Sequence, residues 1–176
     1  NNDGKNTYTF TRNGEFTFEF VDEAGNTNSI TAEVTWIEKK EPDNNDELTS
    51  EEYEITGNII RKVPLNLEVS EFMKHIQANQ EVIIKDKNDN IIEGTAKIGT
   101  GMKAYVGDNV YTFVVRADID GNGTVNLTDL AKLCLHYIEK ETLVGEYLEA
   151  ADIDNNNKVT ITDLAKMQLL LVGKNK

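Results

Sequence analysis

The chain has 176 residues, room for one ordinary domain or two to three small ones, and a net charge of −13 from 31 acidic and 18 basic side chains. That balance argues against nucleic acid or anionic lipid as a partner. No apolar run approaches the roughly 18 residues needed to span a bilayer, and the lone cysteine, Cys134, excludes an internal disulfide framework.

Residues 7–20 place Tyr8, Phe10, Phe16, Phe18 and Phe20 in alternation with polar partners, the period of a half-buried strand. Arg12-Asn13-Gly14-Glu15 is expected to turn between two strands. A second turn at Asp22-Glu23-Ala24-Gly25-Asn26 leads to a third run with Ile30, Ala32, Val34 and Trp36. The Phe-x-Phe strand, the Asp-x-Ala-Gly-Asn turn and the final strand resemble the end of a bacterial immunoglobulin-like module. That resemblance covers residues 1–37 and implies only the C-terminal strands of a sandwich that needs about seven. The N-terminus shows no signal peptide, and the whole reads as a piece of something longer. Residues 38–52 are charged and nearly devoid of apolar side chains, the composition of a linker.

Residues 53–116 read as a small α+β unit, β-grasp-like in its order. Tyr53, Ile55, Ile59, Ile60 and Val63 suggest strands. Ser70 is placed as the N-cap of a short helix carrying Phe72, Ile76 and Met73 inward. A hairpin is expected between 81–85 and 90–93, around Lys87-Asn88-Asp89, and further strands at 102–106 and 110–115. Asp86-Lys87-Asn88-Asp89-Asn90 imitates a cation loop. It carries Ile91 where a glycine belongs and Lys97 where a closing carboxylate belongs, so it reads as a plain turn.

From Asp118 the chain reads Asp-Ile-Asp-Gly-Asn-Gly-Thr-Val-Asn-Leu-Thr-Asp, and from Asp152 it reads Asp-Ile-Asp-Asn-Asn-Asn-Lys-Val-Thr-Ile-Thr-Asp. Oxygen side chains at loop positions 1, 3, 5 and 12, with a carbonyl at 7, make the ligand set of an EF-hand-type calcium loop. In the first copy these are Asp118, Asp120, Asn122, Thr124 (carbonyl) and Asp129. In the second they are Asp152, Asp154, Asn156, Lys158 (carbonyl) and Asp163. A hard cation wants six to eight oxygens at about 2.3–2.6 Å, and alternate residues of a tight turn point inward together. Gly123 at position 6 suits the sharp bend, and Asn157 is the best substitute for it. Val125 and Val159 at position 8 would let the loops pair back to back. Two such loops in one register, each followed by Leu-Ala-Lys, imply two Ca2+ ions.

Each loop leads into a helical pattern: Leu130, Leu133, Cys134, Tyr137 and Ile138, then Leu164, Met167, Gln168, Leu171 and Val172. Residues 143–150 can form a connecting helix. The first loop is entered from a strand rather than a helix. A duplicated loop and exit helix, carrying Asp118-Ile-Asp-Gly-Asn-Gly-Thr-Val-Asn-Leu-Thr-Asp-Leu-Ala and its repeat from Asp152, resembles a dockerin over residues 117–174. Residues 53–116 are similar to the X-type accessory modules found beside dockerins. The expected architecture is therefore multidomain: an Ig-like β-rich fragment, a small α+β module, and an all-α dockerin with two calcium loop-helix motifs.

The resemblance implies calcium-dependent binding to a cohesin-type module, in secreted or cell-surface bacterial proteins that degrade carbohydrate or glycoprotein. It implies partner contacts at Leu127, Thr128, Cys134 and Leu135, and at Ile161, Thr162, Gln168 and Leu169. Many dockerins carry Ser-Thr and basic residues there, so this chain presents a more hydrophobic face. For Leu135 and Leu169, partner contact and core packing both remain open. The copies are alike enough for either to face the partner, and the free chain is expected to be a monomer. No constellation around His75 or His136 suggests an active site, and the chain reads as non-catalytic. The alternatives are an EF-hand-type structural module of a surface protein, or an accessory fragment of a secreted hydrolase. Chelation is expected to unfold 118–173 and leave 53–116 folded.

Overall fold

The computed structural model describes residues 7–11, 13–36 and 47–173. The chain divides after Asp43 into two compact units.

The first unit is a hairpin of β1 (Gly14–Val21) and β2 (Thr27–Val34), paired antiparallel with Phe18 opposite Ile30. The turn forms because Asp22 Oδ1 accepts from the amides of Ala24 and Asn26, at 2.9 and 2.8 Å, while Gly25 takes φ +86°. Residues 8–10 are not a strand. Tyr8 instead stacks on Phe16, with centroids 3.9 Å apart. Of the expected turn at 12–15, Arg12 lies outside the described residues. Phe20, Ile30 and Trp36 stay exposed, since among the described residues the hairpin has no second layer to cover them.

The second unit holds a mixed five-stranded sheet, ordered β4 (Glu54–Thr56), β5 (Ile59–Arg61), β9 (Asn109–Phe113), β8 (Lys103–Val106), β7 (Val82–Lys85). Only β5 and β9 run parallel. Helix α1 (Val69–Phe72) drives Phe72 to the centre of the sheet's core, stacked on Tyr53 and edge-on to Phe113. Its N-cap is Glu68, not Ser70, which is exposed within the first turn; Met73 likewise faces outward. The hairpin expected at 81–93 shrinks to a turn with one bridge, Lys85 to Ile91, because β7 takes β8 as its ladder partner.

The linker also ends earlier than its polarity suggests. Leu48 is 3% exposed, and β3 (Leu48–Thr49) pairs with β6 (Gln77–Ala78). Ser50 Oγ donates to the His75 carbonyl at 2.6 Å and accepts from the amides of Glu52 and Tyr53. One apolar residue and one hydroxyl thus anchor a stretch that is otherwise polar and mostly acidic.

Three further helices follow: α2 (Leu127–Tyr137), α3 (Gly145–Ala151) and α4 (Ile161–Gly173). Leu133 and Met167 are wholly buried between them, with Ile119, Leu143 and Leu164. Of the expected apolar stripe, Tyr137, Ile138 and Val172 are exposed. Val125 is buried and Val159 half-buried in the same cluster, without a strand assigned to either.

Sheet and helices keep separate apolar clusters, yet Leu65 packs against both. Ala117 is the only residue between Arg116 and the first loop. It is 1% exposed, sits at φ +73°, and donates to the Ala150 carbonyl at 2.9 Å. Arg61 of β5 reaches Glu149 of α3 through two hydrogen bonds of 2.5 and 3.0 Å.

Candidate metal centre

Each loop gathers three carboxylates. Asp118, Asp120 and Asp129 bring ligand oxygens within 4.8 Å of one another, and so do Asp152, Asp154 and Asp163. Three negative groups that close repel strongly. The chain holds them by backbone amides, which lend positive charge without titrating.

The closing Asp is fixed the same way in both loops. Asp129 Oδ1 accepts from the amides of Ile119 and Asp120 at 2.7 and 2.9 Å, and its Oδ2 from Asn126 at 2.8 Å. Asp163 accepts from Ile153, Asp154 and Thr160 at 2.8, 3.1 and 2.7 Å. Position 12 therefore staples the loop's start to its end. It also lies inside the exit helix, which begins at position 10 rather than after position 12. Asn126 caps α2 by accepting from the Thr128 amide at 2.7 Å. Leu127-Thr128 and Ile161-Thr162 are accordingly the first helical residues.

The loops bend twice through left-handed backbone, at position 4 as well as 6. Gly121 and Gly123 have φ +70° and +81°, and Asn155 and Asn157 have +60° and +65°. The ligand spacing points only to position 6, although Gly and Asn stand at position 4 just as plainly. Asn122 Oδ1 accepts from the Thr124 amide at 2.8 Å, and Asn156 Oδ1 from Lys158 at 2.9 Å, which tightens each turn toward position 7.

Burial makes the cages expensive to leave charged. Asp118, Asp129 and Asp163 are 0% exposed and Asp152 is 7%. Desolvation pushes the Asp118 carboxyl up to about 6, with the Asp129 and Asp120 charges adding, against the opposing pull of the Thr100 and Gly123 amides. Desolvation also raises Asp129. Asp154 Oδ1 is buried with no hydrogen-bond partner. An all-oxygen donor set, clustered carboxylates and an orphaned buried oxygen fit a hard divalent cation. Asp118, Asp120 and Asp129 would hold one ion and Asp152, Asp154 and Asp163 another; when bound, each divalent ion offsets most of its cage's negative charge.

Outside the cages, seven of the eight expected partner residues are exposed: Leu127, Thr128, Leu135, Ile161, Thr162, Gln168 and Leu169. Cys134 is half-buried in the helical core. Exposure reaches 74% for Leu127 and 72% for Leu169, so neither is a core residue. His136, without chemistry nearby, accepts from the Leu143 amide and pins the connector after α2.

Two acidic cradles, each closed by an aspartate of its own exit helix, define a duplicated loop–helix module of the calcium-binding F-hand kind. Residues 107–171 match the family model for the dockerin type I domain, and this part of the chain is a dockerin domain. Such domains bind calcium and dock onto cohesin modules. The match starts inside the sheet unit, before β9, rather than at residue 117. No curated protein and no solved structure matches the chain.

Proposed function

We propose that this chain is a non-catalytic docking segment that holds two calcium ions and binds a cohesin-type partner, assembling secreted or cell-surface enzymes that act on carbohydrate or glycoprotein. The observation that carries this reading is the pairing of each acidic cage with exposed residues at matched positions. Leu127 and Ile161 stand at position 10 of their loops, and Leu135 and Leu169 follow eight residues later on α2 and α4. The face is apolar, so the partner would meet it through hydrophobic burial rather than charge.

Residues 118–173 have a small core, so cation binding would contribute much of the helices' stability. A calcium sensor that opens a Met-rich groove fits less well, because Met167 is wholly buried. The sheet unit is read as an X-type companion and the hairpin as the end of an Ig-like module; the hairpin's exposed aromatic residues support the latter. Pull-down of the free monomer against a panel of cohesins, with calcium and then with EDTA, tests the proposal. Capture by at least one cohesin only with calcium is expected. Binding that survives EDTA would refute the mechanism.

A further inference from the structure

The two loops share a register but not a setting. Residues 97–101 of the sheet unit lie directly across the first loop. The Thr100 amide donates to Asp118 Oδ2 at 2.8 Å, and Gly123 donates to the same oxygen at 3.2 Å. Two donors occupy both lone pairs of Oδ2, which leaves Oδ1, with one donor from Asn122 at 3.1 Å, as the oxygen able to face a cation. The counterpart Asp152 takes one donor on each oxygen, from Asn156 and Asn157.

The approach is too close for side chains. A Cβ on Gly99 would lie 2.6 Å from the Gly123 nitrogen and 2.8 Å from both Asp118 Oδ2 and the Gly121 carbonyl. A Cβ on Gly121 would lie 2.4 Å from the Thr100 carbonyl, and one on Gly123 2.7 Å from Lys97 Cβ. This explains why the first loop has glycine at positions 4 and 6 where the second has asparagine. The backbone angles are alike, but backbone presses on the first loop, whereas the second is met by the Arg116 side chain, which donates to the Asp152 carbonyl and to Asn155 Oδ1.

The strap formed by residues 97–101 is sewn into the sheet. The buried Thr100 hydroxyl donates to the Val115 carbonyl at 2.9 Å and accepts from the Val115 amide at 3.0 Å, while Gly101 donates to Phe113 and Ile98 to Leu67. Lys87, at the tip after β7, donates to the Asp120 carbonyl at 2.9 Å.

We propose that residues 99–101 are a positioning element of the first calcium site, orienting Asp118 and tying cation occupancy of that loop to the stability of the sheet. The proposal rests on the calcium reading above. It also revises the expectation that chelation leaves 53–116 untouched.

The test uses the full chain with the second loop disabled by Asp152→Asn and Asp163→Asn, titrated with calcium by calorimetry. Adding Gly99→Ala is expected to weaken binding by about tenfold or more (~1.4 kcal/mol). In the reciprocal background, with Asp118→Asn and Asp129→Asn, the same change should leave the second loop within about twofold. Should Gly99→Ala fail to fold, amide exchange on the chain without it decides. Calcium at the first loop alone should slow exchange at Thr100, Gly101 and along β8. Unchanged first-loop affinity in a folded Gly99→Ala chain, equal losses in both loops, or protection confined to 118–137 would overturn the proposal alone. A parent chain that binds no calcium would overturn the docking reading with it.

Discussion

Asp118→Asn should stabilise the calcium-free chain while removing the first site's response to calcium. The folded carboxyl titrates near 6 against an ordinary 3.8, so above both values the charged side chain costs about 3 kcal/mol relative to the unfolded chain. The sign is that of a raised carboxylate. Its contribution is fully present below about pH 4 and is lost as pH rises through 6. The amide keeps an oxygen for Thr100 and Gly123 but turns its NH2 toward the Asn122 amide, forfeiting that hydrogen bond at a cost of about 1 kcal/mol. The net gain of ~2 kcal/mol corresponds to a rise of roughly 4–8 °C in Tm for a unit of this size. Circular dichroism melts in EDTA at about pH 7.5 and about pH 4.5 measure it, and the gain should shrink at the acid end. With calcium at about a hundredfold over Kd, the parent gains ~2.7 kcal/mol per occupied site and the variant forgoes one such gain. A variant that melts at or below its parent in EDTA near neutral pH would refute the argument that burial, not geometry alone, strains this cage.

On the docking face, Leu127→Asp alone should weaken cohesin binding modestly, and Leu127→Asp with Ile161→Asp should abolish it. Titration calorimetry would show this, and stability should stay within about 0.5 kcal/mol because both sites are exposed. Leu133→Ala, at a wholly buried position, should cost 2–5 kcal/mol by urea denaturation with calcium present. Asn157→Gly should stabilise the second loop by about 1 kcal/mol, since its φ of +65° suits glycine better, and a denaturant midpoint shift would report it.

The cages were legible because loop chemistry is local: alternating oxygens, a bend and a closing acid lie within twelve residues. The exit helices were legible from their spacing, though their starts were not. By ligand spacing Asn126 is one more loop residue, and only its capping bond to Thr128 marks it as the start of α2. Ser70 misled because a good capping residue is a local preference, and the sheet's demand that Phe72 reach the core sets the helix one turn edge earlier. Leu48 was hidden by its neighbours' charge. The strap was beyond reach for a different reason. Gly99, Thr100 and Gly101 have no periodicity, and their contact with the first loop depends on β8 and β9 bringing the chain back on itself.

The join between sheet and helices has no slack. Val114 donates to Ile60, Val115 to Thr100, and Ala117 to Ala150, so successive amides are tied on different sides as the chain leaves β9. A partner that seizes α2 therefore also aims the sheet, as a hand on a spanner's jaw aims its shaft. The heading of the sheet relative to the helices is thus settled before any partner arrives.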